Sequence, residues 1–376
     1  MKKYIYNLIL CVIPHKYIRF AFKYINIDFL FFGYSLKHVG KYLINERKHP
    51  PSFEENLSNE ILSGFQQCCN DYLGREELLR EYVLQCDDCI IEPKYGWGIL
   101  YSSNKLVFDS ISNNAWIETY HPSFINYIVK KSNAHLYPEI ISIRMLKGGQ
   151  KNFWHFFHDL LGQVCLAQKY KLDHLPFVIS KQLYDQPYYQ QAVARSSYLQ
   201  GLTWVVQDKQ YIKAETAYYM QKELNSNEQF IWAREILEVP DADPQQKRKV
   251  FLTRNKNRIR HINNSLEIEK IAIHYGFEIV DTDNLTLDMQ IKLFSEIEFL
   301  IGIHGAGLTN MIFRKSAPMN ILEIFPMDYI QPHYYWLGKG LGHSYHCLTG
   351  GTTLRDTSFS MNAEQFDKKL KEFISD

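Results

Sequence analysis

The spacing of apolar residues predicts regularly alternating strands and helices in the second half of the chain. Strands are expected at residues 249–253, 277–280, 298–303 and Asn320–Phe325, and helices at residues 265–275 and 287–296. Gly276 is expected to end the first of these helices. Strict alternation of elements of these lengths predicts a parallel α/β sheet.

The first half of the chain alternates shorter strand-like runs with helical patterns. Strands are predicted at residues 104–108, 139–143, 177–179 and 201–206. The polar residues 238–248, which include Pro240 and Pro244, form the best predicted linker. We therefore expect an N-terminal segment 1–34, a first α/β domain 35–240, a second domain 241–350 and a C-terminal segment 351–376. The last helix, at residues 363–374, is expected to pack back on the first domain.

Composition limits the classes of protein and partner. A chain of 376 residues exceeds the usual size of one core, so two domains are expected. With 46% hydrophobic and 22% charged residues, the chain is typical of a folded globular protein. The formal net charge of +1 gives no overall attraction to nucleic acid, and no nucleic-acid partner is expected.

The cysteines indicate a reducing compartment. Seven cysteines, an odd number scattered over a long chain, favour the cytoplasm over a disulfide framework. The group Cys68, Cys69, Cys86 and Cys89 leaves a zinc site open as an alternative, although adjacent cysteines chelate one tetrahedral ion poorly.

The first 34 residues combine basic and aromatic side chains. Lys16, Arg19 and Lys23 are interleaved with aromatic and aliphatic residues, and the apolar stretch before Pro14 is too short to span a bilayer. This pattern fits a helix lying on an anionic membrane surface. The alternative is an ordinary first helix docked on the core. We expect a cytoplasmic protein, peripheral on the inner face of the cytoplasmic membrane.

The sequence from Gly302 to Asn310 predicts an anion site. An apolar run enters the glycine-rich turn His304-Gly305-Ala306-Gly307, and a helix-compatible segment follows. Free N–H groups and the helix dipole at such a turn favour an anion. The spacing matches neither the dinucleotide nor the Walker motif. An esterase oxyanion loop would also need a Gly-x-Ser-x-Gly elbow, which the chain lacks. A tight turn without a ligand is the other interpretation.

A second candidate site lies in residues 152–162. On a helix, His155 and Asp159 are one turn apart, so the carboxylate can hydrogen-bond one imidazole nitrogen and leave the other free as a general base. The alternative is a solvated polar face that also contains His158. A His-x-x-His pair without a third ligand is a weak metal signal, and no metal is expected.

A third candidate is the basic loop at residues 253–264. It follows the first strand of the predicted second domain, and such loops line the ligand crevice of a parallel sheet. Arginine in this loop can bind phosphate oxygens bidentately and replace a divalent metal. The alternative for this loop is a solvated basic segment. Separately, the acidic pair Asp281 and Asp283 could bind a metal, but it is equally a turn.

Together the three segments resemble glycosyltransferase family 61. The resemblance covers roughly residues 145–326. It rests on Asn152-Phe-Trp-His155 with Asp159, Leu252-Thr-Arg254 with Arg258, Arg260 and Asn264, Gln290-Ile-x-Leu-Phe294, Gly302-Ile-His304-Gly-Ala-Gly307-Leu-Thr-Asn310, and Leu322-Glu323-Ile. It implies an α/β fold with two Rossmann-like domains facing a cleft, of the GT-B type, and inverting transfer from a nucleotide sugar.

The resemblance and the residues together give a set of expected roles. His155, oriented by Asp159, is the expected base, with His304 as its competitor; Asn152, Trp154 and His158 are expected on the acceptor side. The donor is expected to contact Arg254, Arg258, Arg260, Asn264, Gly305, Ala306, Gly307, Leu308, Thr309, Asn310 and Glu323, the last through the ribose hydroxyls. The expected partners are a nucleotide sugar and a glycan or lipid-linked glycan of a capsule or lipopolysaccharide, without a cofactor. A non-catalytic nucleotide-sugar-binding or assembly protein is the alternative.

Overall fold

A computed structural model describes residues 37–48, 52–54, 57–73, 79–111, 122–145, 149–223 and 226–375. The predicted membrane-surface segment 1–34 lies outside these residues. Two β-sheets organise the described part of the chain, one of seven strands and one of five. None of its helices is long and apolar enough to cross a membrane.

The first sheet is mixed. Its strands are β1 (Lys41–Arg47), β2 (Arg80–Ile91), β3 (Gly98–Leu100), β4 (His135–Ser142), β5 (Phe177–Ser180), β6 (Trp204–Gln207) and β7 (Ile212–Gln221), in the order β1-β2-β7-β4-β5-β6 with β3 beside β2. Strands β7, β4, β5 and β6 are parallel, whereas β2 is antiparallel to β1, β3 and β7. The connection from β2 to β3 is too short for a crossover helix and permits only an antiparallel pair.

Three of the four strands predicted in this half are confirmed, with shifted ends. The predicted strand at residues 104–108 is wrong: Leu106 and Val107 form only isolated bridges, and a 3₁₀ turn follows at Phe108–Ser110.

The second sheet is wholly parallel, as predicted. It contains β8 (Arg248–Leu252), β9 (Glu278–Val280), β10 (Ile297–Ile303), β11 (Asn320–Phe325) and β12 (Ser344–Thr349), in the order β12-β11-β10-β8-β9. The strand order reverses between β8 and β10. In an open α/β sheet, the crevice at such a switch point, outside the carboxyl ends of the strands, is where ligands bind.

The helices cover these sheets. They are α1 (Asn59–Leu73), α2 (Phe124–Lys130), α3 (the contiguous parts Phe153–His155, Phe156–Leu160 and Leu161–Lys169), α4 (Lys181–Tyr184), α5 (Pro187–Arg195), α6 (Ser197–Gly201), α7 (Glu228–Ile236), α8 (Ser265–His274), α9 (Leu287–Ser295), α10 (His333–Gly340) and α11 (Ala363–Phe373). Gly276, at φ +83°, follows α8 as predicted.

Within the described residues, the last helix packs on α8 and on the second sheet, which corrects the expectation that it packs back on the first domain. The apolar residues Phe366, Leu370 and Phe373 of α11 share one helical face and are buried in a cluster with Phe251 of β8 and Ile268 of α8. Another apolar cluster contains residues from strands of both sheets and from the helices α3 and α10. The two halves of the chain therefore share a core.

Candidate active site

Helix α3 carries the predicted base and contains one irregular turn. Asn152 caps its N-terminus by accepting a hydrogen bond from the Trp154 N–H at 2.9 Å. The Leu161 N–H then bonds to the Phe156 carbonyl, five residues back, so Phe156–Leu160 is a π-helical turn. Single π turns inside α-helices occur frequently at functional sites. Asn152, expected on the acceptor side, thus has a capping role.

Asp159, in the π turn, holds two histidines. Its carboxylate oxygens lie 2.8 Å from the His155 Nδ1 and 2.7 Å from the His158 Nδ1. Burial alone would raise the pKa of Asp159, but its contacts with the two imidazoles hold that pKa well below its usual range. Burial alone would lower the pKa of His155, but the charge and hydrogen bond of Asp159 outweigh burial and raise that pKa. The pair is an ion pair when His155 is protonated.

The other predicted acceptor-side residues support this cluster. His158 is only 5% exposed, and its ring stacks on Trp154 with centroids 5.3 Å apart. Trp154 is also buried and meets Tyr334 of α10 edge to face at 5.1 Å. Trp154 and His158 therefore fix the position of Asp159 from within the core, and the partly exposed His155 is the imidazole of the cluster nearest to solvent.

The glycine-rich turn follows β10 at the switch point, and a 3₁₀ helix, Ala306–Phe313, begins there. The first hydrogen bond of that helix runs from the Leu308 N–H to the Gly305 carbonyl at 2.9 Å. The N–H groups of Ala306 and Gly307 precede it and have no acceptor within the helix. A Cβ atom on residue 305 would lie 2.0 Å from the Arg254 Nη2, so the close approach of that guanidinium requires glycine.

The later residues of the predicted cradle are interior. Leu308, Thr309 and Asn310 are at most 1% exposed, and the Asn310 amide donates to the Gly307 carbonyl at 3.0 Å. They shape the turn from inside and do not offer side-chain donors at its surface, because they are buried. Ala306 and Gly307 are the residues of the turn that remain partly exposed.

Two arginines face the turn. The Arg254 guanidinium donates to the backbone carbonyls of Ile259 at 2.9 Å and His304 at 3.4 Å. Burial, with the like charge of Arg260, lowers the pKa of Arg254 to about 10. The Arg260 Nε is buried without a hydrogen-bond partner, and its guanidinium lies 4.8 Å from the Tyr329 ring centroid. Within the described residues, no carboxylate pairs with either arginine. This concentration of positive charge is suited to an anion.

Two other residues of the basic loop have local partners. Arg258 is exposed and forms an ion pair with Asp283 at 2.8 Å, and Asp281 accepts the Asp283 N–H at 2.9 Å. The acidic pair is thus a turn that holds Arg258. Asn264 bonds the Met361 backbone at 2.9 and 3.0 Å and thereby ties down the C-terminal segment. Asn264 thus has a structural contact, and the charge of Arg258 is shared with Asp283.

A second histidine–carboxylate pair is buried beneath the turn. The His304 Nδ1 lies 2.6 Å from the Glu323 Oε1, and the Tyr345 hydroxyl donates to the other carboxyl oxygen. Burial lowers the pKa of His304 well below its usual value, and the positive charge of Arg260 lowers it further. Burial likewise raises the pKa of Glu323 well above its usual range. Glu323 has no exposed surface, so the expected contact with ribose hydroxyls is not available to it here.

Residues of α10, which connect the His155 cluster with His304, were not predicted from the sequence. Tyr334 is buried between Trp154 and His304, with its ring centroid 5.3 Å from that of His304. Burial, assisted by the nearby His158 and His155, lowers the pKa of His333 to about 3. The sequence signal for these α10 residues was the run of histidine and aromatic residues after β11, because the chain that leaves a central parallel strand also borders the crevice.

A metal site is not formed by the described residues. No three histidine, cysteine, aspartate or glutamate side chains among them are grouped to hold an ion. Cys68 and Cys69 lie on α1, whereas Cys86 and Cys89 lie on β2 with their sulfurs 3.1 Å apart. The four cysteines considered from the sequence therefore do not form one tetrahedral set.

Comparison with known proteins agrees with the resemblance seen in the motifs. Residues 153–320 match the family model described as Glycosyltransferase 61, which confirms that resemblance. A stretch of 67 residues is 31% identical to a β-1,2-xylosyltransferase of Arabidopsis thaliana and covers 17% of this chain and 12% of that protein. The chain therefore spans only a small part of that relative's length. Both matches support a glycosyltransferase, and the family match includes His155, Asp159, Arg254, Arg260 and His304.

Proposed function

We propose that the protein is an inverting glycosyltransferase that moves a sugar from a nucleotide diphosphate donor to a glycan acceptor. The observation that carries this proposal is the pair Arg254 and Arg260, which have no carboxylate partner among the described residues. They lie beside the N–H groups of Ala306 and Gly307, which have no acceptor within their helix. They lie at the switch point of the second sheet, where an α/β fold binds its ligand. The diphosphate of the donor is the anion that this arrangement fits.

In the proposed reaction, the acceptor hydroxyl attacks the anomeric carbon from the side opposite the leaving diphosphate. Its proton passes to the His155 Nε2, because Nδ1 is engaged with Asp159. The Asp159 carboxylate stabilises the imidazolium that forms. On the other face, Arg254 and Arg260 stabilise the negative charge that develops on the leaving phosphate as the C–O bond breaks. His304, with Nδ1 engaged by Glu323, can donate a hydrogen bond from Nε2 to the donor.

Donor binding is the step to test first. A thermal-shift series with uridine, guanosine and cytidine diphosphates and their sugars should raise the melting temperature for one nucleotide, because a ligand that binds only the native state stabilises it. Transfer from that donor is then sought in a crude lipid extract. If the protein binds the nucleotide sugar but neither hydrolyses nor transfers it, the result favours the alternative, a non-catalytic binding or assembly protein of the same fold.

We further propose that the two sheets face a cleft in the GT-B manner and that no divalent metal is needed, because arginines can carry the diphosphate charge. Transfer should therefore persist in chelator-treated protein. Activity that is lost on chelation and restored by manganese would contradict this proposal and assign a role to Asp281 and Asp283.

The acceptor is proposed to be a capsule or lipopolysaccharide glycan, lipid-linked and met at the inner face of the cytoplasmic membrane. The support is the basic and aromatic composition of residues 1–34. Replacing Lys16, Arg19 and Lys23 with glutamine should release the protein from anionic vesicles, since each basic residue near such a surface contributes about 1 kcal/mol. Equal sedimentation of the variant and the parent protein at low salt would contradict membrane attachment.

A further inference from the structure

A separate cleft of about 430 Å³ lies at the carboxyl ends of β5 and β6 in the first sheet. Ser180, the last residue of β5, and Gln207, the last residue of β6, both line it. It is therefore built from the strand ends of the first sheet, as the Arg254 site is built from the strand ends of the second.

The cleft adjoins the proposed base. Gln150 lines the cleft and belongs to the 3₁₀ turn Gly149–Lys151. The neighbouring residue of that turn, Gly149, packs against the His155 ring so closely that a Cβ on it would lie 3.1 Å from the His155 Cγ. One three-residue turn thus lies between His155 and the cleft, which places the cleft next to the proposed base.

The floor of the cleft is polar and fixed in place. The Gln207 amide, which is 2% exposed, donates to the Ile91 and Gln210 carbonyls at 3.0 Å each. The Gln150 amide donates to the Lys94 carbonyl at 3.2 Å. The Gln207 carbonyl oxygen can accept from a sugar hydroxyl, and the second N–H of the Gln150 amide can donate to one. Tyr211, buried in the same wall, adds an aromatic surface.

The rim of the cleft is basic. Four lysines, Lys94, Lys130, Lys181 and Lys209, line the cleft together with one acidic residue, Asp208. Lys181 pairs with Asp185 at 2.8 Å. Within the part of the chain that the structure describes, neither Lys130 nor Lys209 forms an ion pair. This excess of positive charge is local, because the formal net charge of the whole protein is only +1.

From these observations we propose that the cleft is an acceptor subsite for an anionic saccharide, one that carries a carboxylate or phosphate group. This inference rests on the proposed function, because it assigns the acceptor class of the same enzyme. The amide floor would hold the sugar hydroxyls, and the lysine rim would hold the anionic group. The contacts would be salt-dependent, because the lysines are exposed.

The test measures binding of three small probes by amide chemical shifts, with the donor site first saturated by the nucleoside diphosphate found in the thermal-shift series. Glucuronate and glucose 6-phosphate are the two anionic probes, and glucose is the neutral control. Shifts at residues 180–182 and 207–209 report the cleft. At least one of the two anions should bind at least threefold more tightly than glucose. The anion that binds more tightly shows whether the subsite prefers a carboxylate or a phosphate.

Variants locate the charge that matters. Lys130→Gln with Lys209→Gln should weaken the anionic probe by about fivefold, as expected for two exposed charge contacts. Asp208→Asn should tighten it by about twofold, because the one acidic lining residue is removed. Lys368→Gln, an exposed lysine on α11, is the matched control and should change nothing.

Equal binding of glucose and both anions at the cleft, or no shift at the cleft with any probe, would overturn the inference. Equal weakening by the double variant and by Lys368→Gln would also overturn it. Either result, in a protein that binds the nucleoside diphosphate and transfers sugar, leaves the proposed function intact. A protein that binds no nucleotide contradicts the proposed function itself.

Discussion

Two histidine–carboxylate pairs lie on opposite sides of this site, and the same contact has opposite electrostatics in each. In both, a carboxylate oxygen meets the imidazole Nδ1, at 2.8 Å for His155 and Asp159 and at 2.6 Å for His304 and Glu323. Yet the pKa values shift toward charged groups in the first pair and toward neutral groups in the second.

Burial and neighbouring charge explain the difference. The His155 and Asp159 side chains retain 23% and 15% exposure, whereas those of His304 and Glu323 retain 5% and 0%. Asp159 also accepts a second bond from His158, which stabilises its charge. Arg260 lies near His304 and disfavours a second positive charge there. A protonated imidazole is therefore favourable at His155 and unfavourable at His304.

These two environments decide which histidine can act as the base. A general base must accept a proton during the reaction, and its partner must stabilise the cation that forms. Asp159 meets that requirement, whereas the Glu323 pair is held neutral. We therefore expect His304 to serve as a hydrogen-bond donor near the diphosphate and His155 to accept the proton.

The largest effect is expected from His155→Ala. It should lower turnover by roughly 10²–10⁴-fold while donor binding is retained, since the lost group acts in proton transfer. His304→Gln is the matched variant and should weaken donor binding with a smaller loss of turnover at saturating donor. Steady-state rates with donor affinity measured separately decide this. Near-normal turnover of His155→Ala with loss in His304→Gln would exchange the two roles.

The next effect concerns the positive charge that faces the glycine-rich turn. Arg254→Ala should weaken nucleoside diphosphate binding by about 1.5–3 kcal/mol, the value of a hydrogen bond to a charged group. Nucleoside binding should change little. Calorimetry with both ligands measures the difference, and Arg258→Ala, which removes an exposed arginine paired with Asp283, is the control. Equal losses for nucleoside and diphosphate would contradict a phosphate contact.

An effect of similar size, on stability, separates the two carboxylates. At neutral pH, Asp159→Asn should lower the free energy of unfolding by about 1.5–3 kcal/mol, because a charged hydrogen-bond acceptor for two imidazoles is lost. Glu323→Gln replaces a group that is already neutral and should cost less, about 1 kcal/mol. Urea unfolding at one pH gives both values. A larger loss in Glu323→Gln than in Asp159→Asn would show that Glu323 is ionised in the folded protein.

The smallest effect is a shift in pH dependence. Because Asp159 raises the pKa of His155, the rate should rise with pH through a midpoint above the ordinary histidine value. Asp159→Asn removes the charge that raises this pKa, so the midpoint should move to lower pH. Glu323→Gln should leave the midpoint in place. Profiles of kcat against pH for the three proteins test this, and an unmoved midpoint in Asp159→Asn would mean that another group titrates.

The periodic part of the chain was predicted well from sequence. Strands β8 to β11 and helices α8 and α9 fell within a few residues of their predicted positions, because a wholly parallel sheet buries both faces and produces continuous apolar runs. The segments that carry His155, Arg254 and His304 were also found from sequence. A glycine-rich turn after a buried strand and an i, i+4 pair of His155 and Asp159 are both local patterns.

Contacts between distant segments were not predictable in this way. Glu323 was expected at the surface of the site and is buried by Tyr345 of the next strand, and the last helix covers the second sheet through Phe366. The antiparallel half of the first sheet and the helix α10 also depend on such contacts.

The sequence by itself therefore determined which residues lie at strand ends and on one helical face, because backbone geometry repeats over a few residues. Only the tertiary structure decided the charge state of each histidine–carboxylate pair. That state depends on burial and on charges from segments far apart in the chain, such as Arg260 beside His304, and no local pattern encodes those distances.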